Sequence, residues 1–211
     1  MGLIYLVRAE REVSSGEPPA PRMHCLNLSQ KTLNSEWVLS SALGALARRR
    51  YARALFFSWP NLQAACLRLA GFLTNHYPGE RRTLLEECLA TAIERYESTA
   101  EDAQFELAPA RAFLIGLIEH APRVLDYRVY GICKGNKTVC WDLFSRPVST
   151  WARNARVKRL VFEPTSLGSE LKNARFVHFV LASHVLEMRD LVVMRGEIEA
   201  MSAVAGTPSG Q

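Results

Sequence analysis

Apolar residues return every three or four positions through most of the first 122 residues. In SEWVLSSALGALARRRYARALFF, Val38, Ala42, Ala45 and Leu46 recur at helical spacing, with Ala52 and Leu55 beyond them. Leu62, Cys66, Leu69 and Leu73 then follow at intervals of four, three and four, a single apolar stripe. Ser58 is placed to cap that helix, and Pro60 lies near its first turn, where a missing N–H is tolerated. Phe56 and Phe57 precede the cap and can staple back onto the helix, which Tyr77-Pro78-Gly79 ends. The spacing predicts a further helix over about 80–96, with Leu85, Leu89, Ala92 and Tyr96 inward. Another is expected near 110–119, through Phe113, Leu114, Leu117 and Ile118.

Past Pro122 the period changes. Tyr127, Val129 and Gly131 alternate with Arg128 and Tyr130, CKGNK supplies a turn, and TVCWDLF resumes, which predicts a β-hairpin. RVKRLVF over 156–162 reads as another strand, and the apolar stretch 169–194, with Leu171, Phe176, Phe179, Val180 and Val185, as a buried helix. A short strand is expected at Leu3–Val7, before a loop rich in Pro, Gly, Ser and charge. The expected fold is α+β: a mostly helical single domain with a small antiparallel β element in the C-terminal half. Residues 1–22 are assigned to an N-terminal strand and loop and 201–211 to a flexible tail. Between them, 23–122 form the helical part of the domain and 123–200 the hairpin and long helix.

Composition suits a core of ordinary size, at 48% hydrophobic and 22% charged. Charge changes the picture more. Residues 23–82 hold eight Lys and Arg against two Asp and Glu, residues 83–122 two against eight, and residues 123–175 eleven against four. Two basic blocks thus flank an acidic helical one, and pairing between blocks on solvated faces is expected. The five cysteines show no C-x-x-C spacing, and Cys66 and Cys88 sit at apolar positions where a thiol packs as a small hydrophobe. The apolar start MGLIYLV is too short for a signal peptide or a spanning helix, so a soluble protein of a reduced, intracellular compartment is expected.

Catalytic templates fail on spacing. There is no Walker loop, no G-x-G-x-x-G and no G-x-S-x-G elbow. His24, His76, His120, His178 and His184 are scattered, and the last two are six apart, on opposite faces of a helix. A cysteine nucleophile with a histidine distant in sequence stays open. The expectation is no enzyme, no metal and no cofactor.

Two stretches remain as candidates for binding. The segment RPVSTWARNARVKR places Arg146, Arg153, Arg156, Lys158 and Arg159 around Trp151. Cations can neutralise RNA phosphates while the indole stacks on a base. The other reading is a solvated charged face whose Trp151 packs inward. The cluster Arg48, Arg49, Arg50 and Arg53 poses the same choice.

The second stretch is SWPNLQAACLRLAGFLTNHYP. A hydrophobic residue, Pro, an amphipathic helix and a trailing Pro resemble a minimal F-box. The likeness is to the silencing-suppressor proteins from the first reading frame of poleroviruses and enamoviruses, with their L-P-x-x-[LI] pattern. Trp59 stands for the Leu, Pro60 matches, and Pro78 matches the trailing proline. Gln63 stands where the family has Leu or Ile, with Leu62 one position early. The resemblance spans residues 55–82. It implies a viral suppressor of host RNA silencing acting as an adaptor. Trp59, Pro60, Leu62, Leu69 and Pro78 would serve the contact with a Skp-type ubiquitin-ligase adaptor. The rest of the fold would engage Argonaute, in the host cytoplasm or, alternatively, the nucleus. Direct RNA binding is the rival, and neither reading calls for membrane insertion.

Overall fold

The computed structural model describes residues 23–46, 60–74, 77–79, 82–102, 107–165 and 175–205. Helix α1 (Ser35–Leu46) is started by Asn34, whose Oδ1 accepts the Trp37 N–H at 2.9 Å. Helix α2 begins at Pro60 and runs to Leu73. Helix α3 (Leu84–Asp102) begins at Leu84 and not, as the apolar spacing suggests, at Glu80. A capping box sets this boundary. The Thr83 N–H donates to Glu86 Oε2 at 3.1 Å, and the Glu86 N–H donates to Thr83 Oγ1 at 3.3 Å. Helix α4 (Leu107–Glu119) lies along α3. At their closest approach a Cβ on Gly116 would stand 2.7 Å from Ala92 Cα, so only glycine permits that separation.

A 3₁₀ segment (Ala121–Asp126) leads into the sheet. Its strands are β1 (His24–Asn27), β2 (Tyr127–Ile132), β3 (Thr138–Cys140) and β4 (Arg159–Pro164), all antiparallel, in the order β1-β4-β2-β3. The expected hairpin is β2 and β3, turning through Lys134–Asn136 with Gly135 at φ 77°. Helix α5 (Val148–Asn154) links β3 to β4. Helices α6 (Arg175–Val185), α7 (Met188–Val193) and α8 (Arg195–Ala205) complete the described chain. The fold is α+β, mostly helical, with three of the four strands between 127 and 164.

Several local expectations are corrected. The long helix over 169–194 is broken at Leu186 and Glu187, where Glu187 is extended (ψ 155°) and precedes α7. The strand read at 156–162 spans 159–164, because Arg156 ends α5 in a left-handed turn (φ 53°). Strand β1 and helix α5 were not expected. β1 has only four residues, none of them buried, so no apolar alternation marks it; pairing to β4 alone makes it a strand. α5 is seven residues long, too short for periodicity to separate from a charged loop. Residues 201–205, assigned to a flexible tail, are instead the end of α8, and the strand expected at Leu3–Val7 and residues 206–211 lie outside the described residues.

Helix α2 is the centre of the core, in contact with α1, α3, α4, α5 and α6. Just past its end, Tyr77 ties it to the sheet. The ring is fully buried against Phe162 and Tyr127, at centroid distances of 5.1 and 6.1 Å. Its hydroxyl donates to the Val124 carbonyl at 2.5 Å, which satisfies an otherwise costly buried polar group. Among the described residues, no helix is long and apolar enough to cross a membrane.

Candidate nucleic-acid interface and motif helix

The stripe on α2 points inward. Leu62, Cys66, Leu69 and Leu73 are each at most 1% exposed. This corrects the expectation that Leu62 and Leu69 are surface anchors: with helices on several sides, every apolar position of the stripe is core. What α2 shows to solvent at its start is Asn61 and Gln63. Pro78 is half-buried and bridges to Thr83, so it closes the loop between α2 and α3. Trp59, Ser58, Phe56, Phe57 and the arginines at 48, 49, 50 and 53 lie outside the described residues.

The core thiols fit their expected packing role. Burial pushes the Cys66 and Cys88 thiols well above their ordinary range, which leaves them protonated and poor nucleophiles. Burial also holds the His178 and His184 imidazoles below the usual histidine range, while a backbone hydrogen bond with Phe144 works the other way on His184. Among the described residues, no group of three His, Cys, Asp or Glu could hold a metal ion.

The sheet gathers the basic residues at one end. Asn27, Arg159, Ile132 and Thr138 form one row across the four strands. Beyond that row, the Leu28 N–H donates to the Lys158 carbonyl at 2.7 Å and the Lys158 N–H to the Ile132 carbonyl at 2.9 Å. The Cys133 N–H donates to the Lys137 carbonyl at 2.8 Å. The β2–β3 turn, the link from α5 to β4 and the exit of β1 therefore meet at this edge. They bring together Lys31, Lys134, Lys137, Arg153, Arg156, Lys158 and Arg159, all exposed. The Arg153 guanidinium donates to the Leu33 carbonyl, and Arg159 Nε to Asn27 Oδ1 at 3.2 Å.

None of these seven cations makes an ion pair with a described residue. Elsewhere one ion pair joins a basic block to the acidic one, Arg123 with Glu87 at 2.8 Å, while Arg95 pairs with Glu119 at 2.8 Å within the acidic block and Arg111 with Glu197 beyond it. At the opposite end of the sheet Arg128 faces Glu163 across the strands. The positive charge at the first end is left for solvent or a partner.

Of the residues expected to bind RNA, Arg153, Arg156, Lys158 and Arg159 come together. Arg146 precedes α5, at the end away from Arg153, and its carbonyl accepts the Trp141 indole N–H at 2.8 Å. Trp151 is only 9% exposed and packs into the notch left by Gly131, where an added Cβ would lie 2.8 Å from its ring. It cannot stack on a base: its assignment to RNA binding is corrected, and the other reading of the segment, with Trp151 packed inward, is the one observed. Lys31, Lys134 and Lys137 were missed. CKGNK already carried two of them, in a turn whose position in the fold was not legible.

No protein-family model matches the chain, and no curated protein or solved structure does.

Proposed function

We propose that the chain is a binding protein with no catalytic activity of its own. In this reading it serves a virus as a suppressor of host RNA silencing, bringing Argonaute to a ubiquitin ligase through a Skp-type adaptor. The supporting observation is that Pro60 is the first residue of an apolar helix, as the F-box-like resemblance requires. Because Leu62 and Leu69 are buried, the contact proposed here does not use them. Those two hold α2 in place, and the adaptor meets the first turn, at Pro60, Asn61 and Gln63, with Trp59. Such an interface needs few anchors and no catalytic group. The site of action proposed is the host cytoplasm, with the nucleus as the alternative.

Affinity capture from plant extract tests it. The parent chain should recover a Skp-type adaptor and Argonaute. Pro60→Ala should lose the adaptor, with stability held within about 1 kcal/mol, because a proline in the first turn contributes no intrahelical bond. Recovery of neither partner by the parent chain ends the reading.

A second reading, direct RNA binding, is supported by a different observation: seven exposed cations at one end of the sheet, none paired with a described acid. Phosphate-driven binding would weaken steeply with salt, whereas a helix-in-groove contact would hardly respond.

A further inference from the structure

We propose that the basic end of the sheet binds single-stranded RNA, with Trp37 in place of Trp151 as the platform for a base. This deepens the RNA-binding reading and rests on it.

Cations alone hold any polyanion. A single strand is distinguished by bases free to stack on an aromatic face, so a site for it needs an exposed ring beside the positive charge. Trp151 is sealed against Gly131 and Val157. Trp37 is 42% exposed, in the first turn of α1, and it lines an open groove with Gln30, Lys31, Asn34 and Glu36. The groove is open to solvent and measures about 420 Å³.

The groove adjoins the basic end through two links. Lys31 lies three residues after Leu28, whose N–H is bonded to Lys158, and the Arg153 guanidinium holds the Leu33 carbonyl. A strand whose phosphates run over Arg156, Lys158 and Lys31 can thus turn a base onto the indole. Gln30 and Asn34 offer amide groups to the edge of that base. Asn34 Oδ1 is already engaged with the Trp37 N–H, so its amide nitrogen is the group left to donate. The Glu36 carboxylate in the same groove repels phosphate and accepts from an exocyclic amino group, so the base goes to Trp37 and the backbone to Lys31.

The backbone places one of these cations. The end of α5 is a Schellman turn, with Arg156 N–H donating to the Arg153 carbonyl and Val157 N–H to the Ala152 carbonyl. Its left-handed position is one where glycine is favoured, and here it carries Arg156 at φ 53°. The turn sets Arg156 between the end of α5 and the start of β4, at the basic end of the sheet.

The test is fluorescence anisotropy of a short labelled single-stranded RNA, the same RNA as a duplex, and vesicles containing anionic lipid, titrated with the full chain. Three variants are compared: Trp37→Ala, Trp37→Phe and Lys31→Glu with Lys158→Glu. The single strand should bind. Trp37→Ala should weaken it by roughly five- to 150-fold, the range for losing one stacked base. Trp37→Phe should restore most of that loss, and the charge reversal should weaken binding and flatten its salt dependence. Circular dichroism on each variant checks folding, and if the Ala variant fails to fold, Trp37→Leu, which keeps apolar bulk and removes the aromatic face, carries the test with the same loss expected. Binding that responds to the charge reversal but not to Trp37, or a preference for the duplex, overturns the stacking proposal and leaves the RNA reading standing. Failure of both RNAs at low salt, with or without vesicle binding, overturns both.

Discussion

Helix α2 and the basic end of the sheet are both candidate partner sites, and they treat their side chains in opposite ways. On α2 the residues that resemble a docking motif are spent on the core: Leu62 and Leu69 touch no solvent. At the sheet end the candidate residues are all exposed, and no ion pair with a described acid neutralises them. A regular apolar stripe therefore says that a helix is amphipathic, and its surroundings decide whether the stripe meets a core or a partner. A scattered set of cations says less in sequence and more in space, because charge left unpaired has few uses apart from solvation and binding.

The sharpest way to break this contrast is Leu69→Ala. A fully buried leucine at the centre of five helices should cost about 2–5 kcal/mol. The loss is read as a lower midpoint in denaturant with the slope unchanged. A cost under about 1 kcal/mol would mean that the stripe is free to leave the core and dock elsewhere.

A smaller effect should come from acid. His178 is buried and His184 stacks on Phe72 of α2 (centroids 5.1 Å apart, planes 21° apart), and burial lowers both imidazoles. His178 Nδ1 and His184 Nε2 find no hydrogen-bond partner among the described residues. The unfolded chain takes up these protons first as pH falls. Stability is complete above the ordinary histidine value of about 6.5 and is lost as pH drops through it. Melting temperature should therefore be level from about pH 8 to 7 and fall below about 6, and replacing both histidines by Gln should flatten that fall. A profile that falls toward alkaline pH instead would place the titrating groups elsewhere.

The smallest effect sharpens the other side. Arg156→Gly removes a cation and relieves a left-handed residue, so stability should be unchanged or rise by about 1 kcal/mol. Thermal melting measures it. A clear loss would show that the Arg156 side chain supports the fold, and the basic end would then be partly structural.

Much of the fold was legible because its causes are local. Pro60, the 3.6-residue period through Leu85, Leu89 and Ala92, and the alternation of Tyr127, Val129 and Gly131 act within one or two turns of chain. The helices and the hairpin follow from them. The helix boundaries were less legible, since Thr83 and Glu86 set α3 by hydrogen bonds that apolar spacing does not register.

By itself, then, the amino-acid order determined the α+β class, the apolar face of each long helix and the excess of positive charge in 123–175. Tertiary structure decided which of those features are buried and which face solvent. Whether an indole is core or surface depends on segments distant in the chain: Gly131 opens the notch that swallows Trp151, while Trp37 keeps 42% of its surface exposed. The same holds for the lysines. Lys31, Lys134 and Lys158 are far apart in sequence, and they become one surface only because β1, β2 and β4 end side by side. Periodicity reports on neighbours along the chain, and this site is built from neighbours across it.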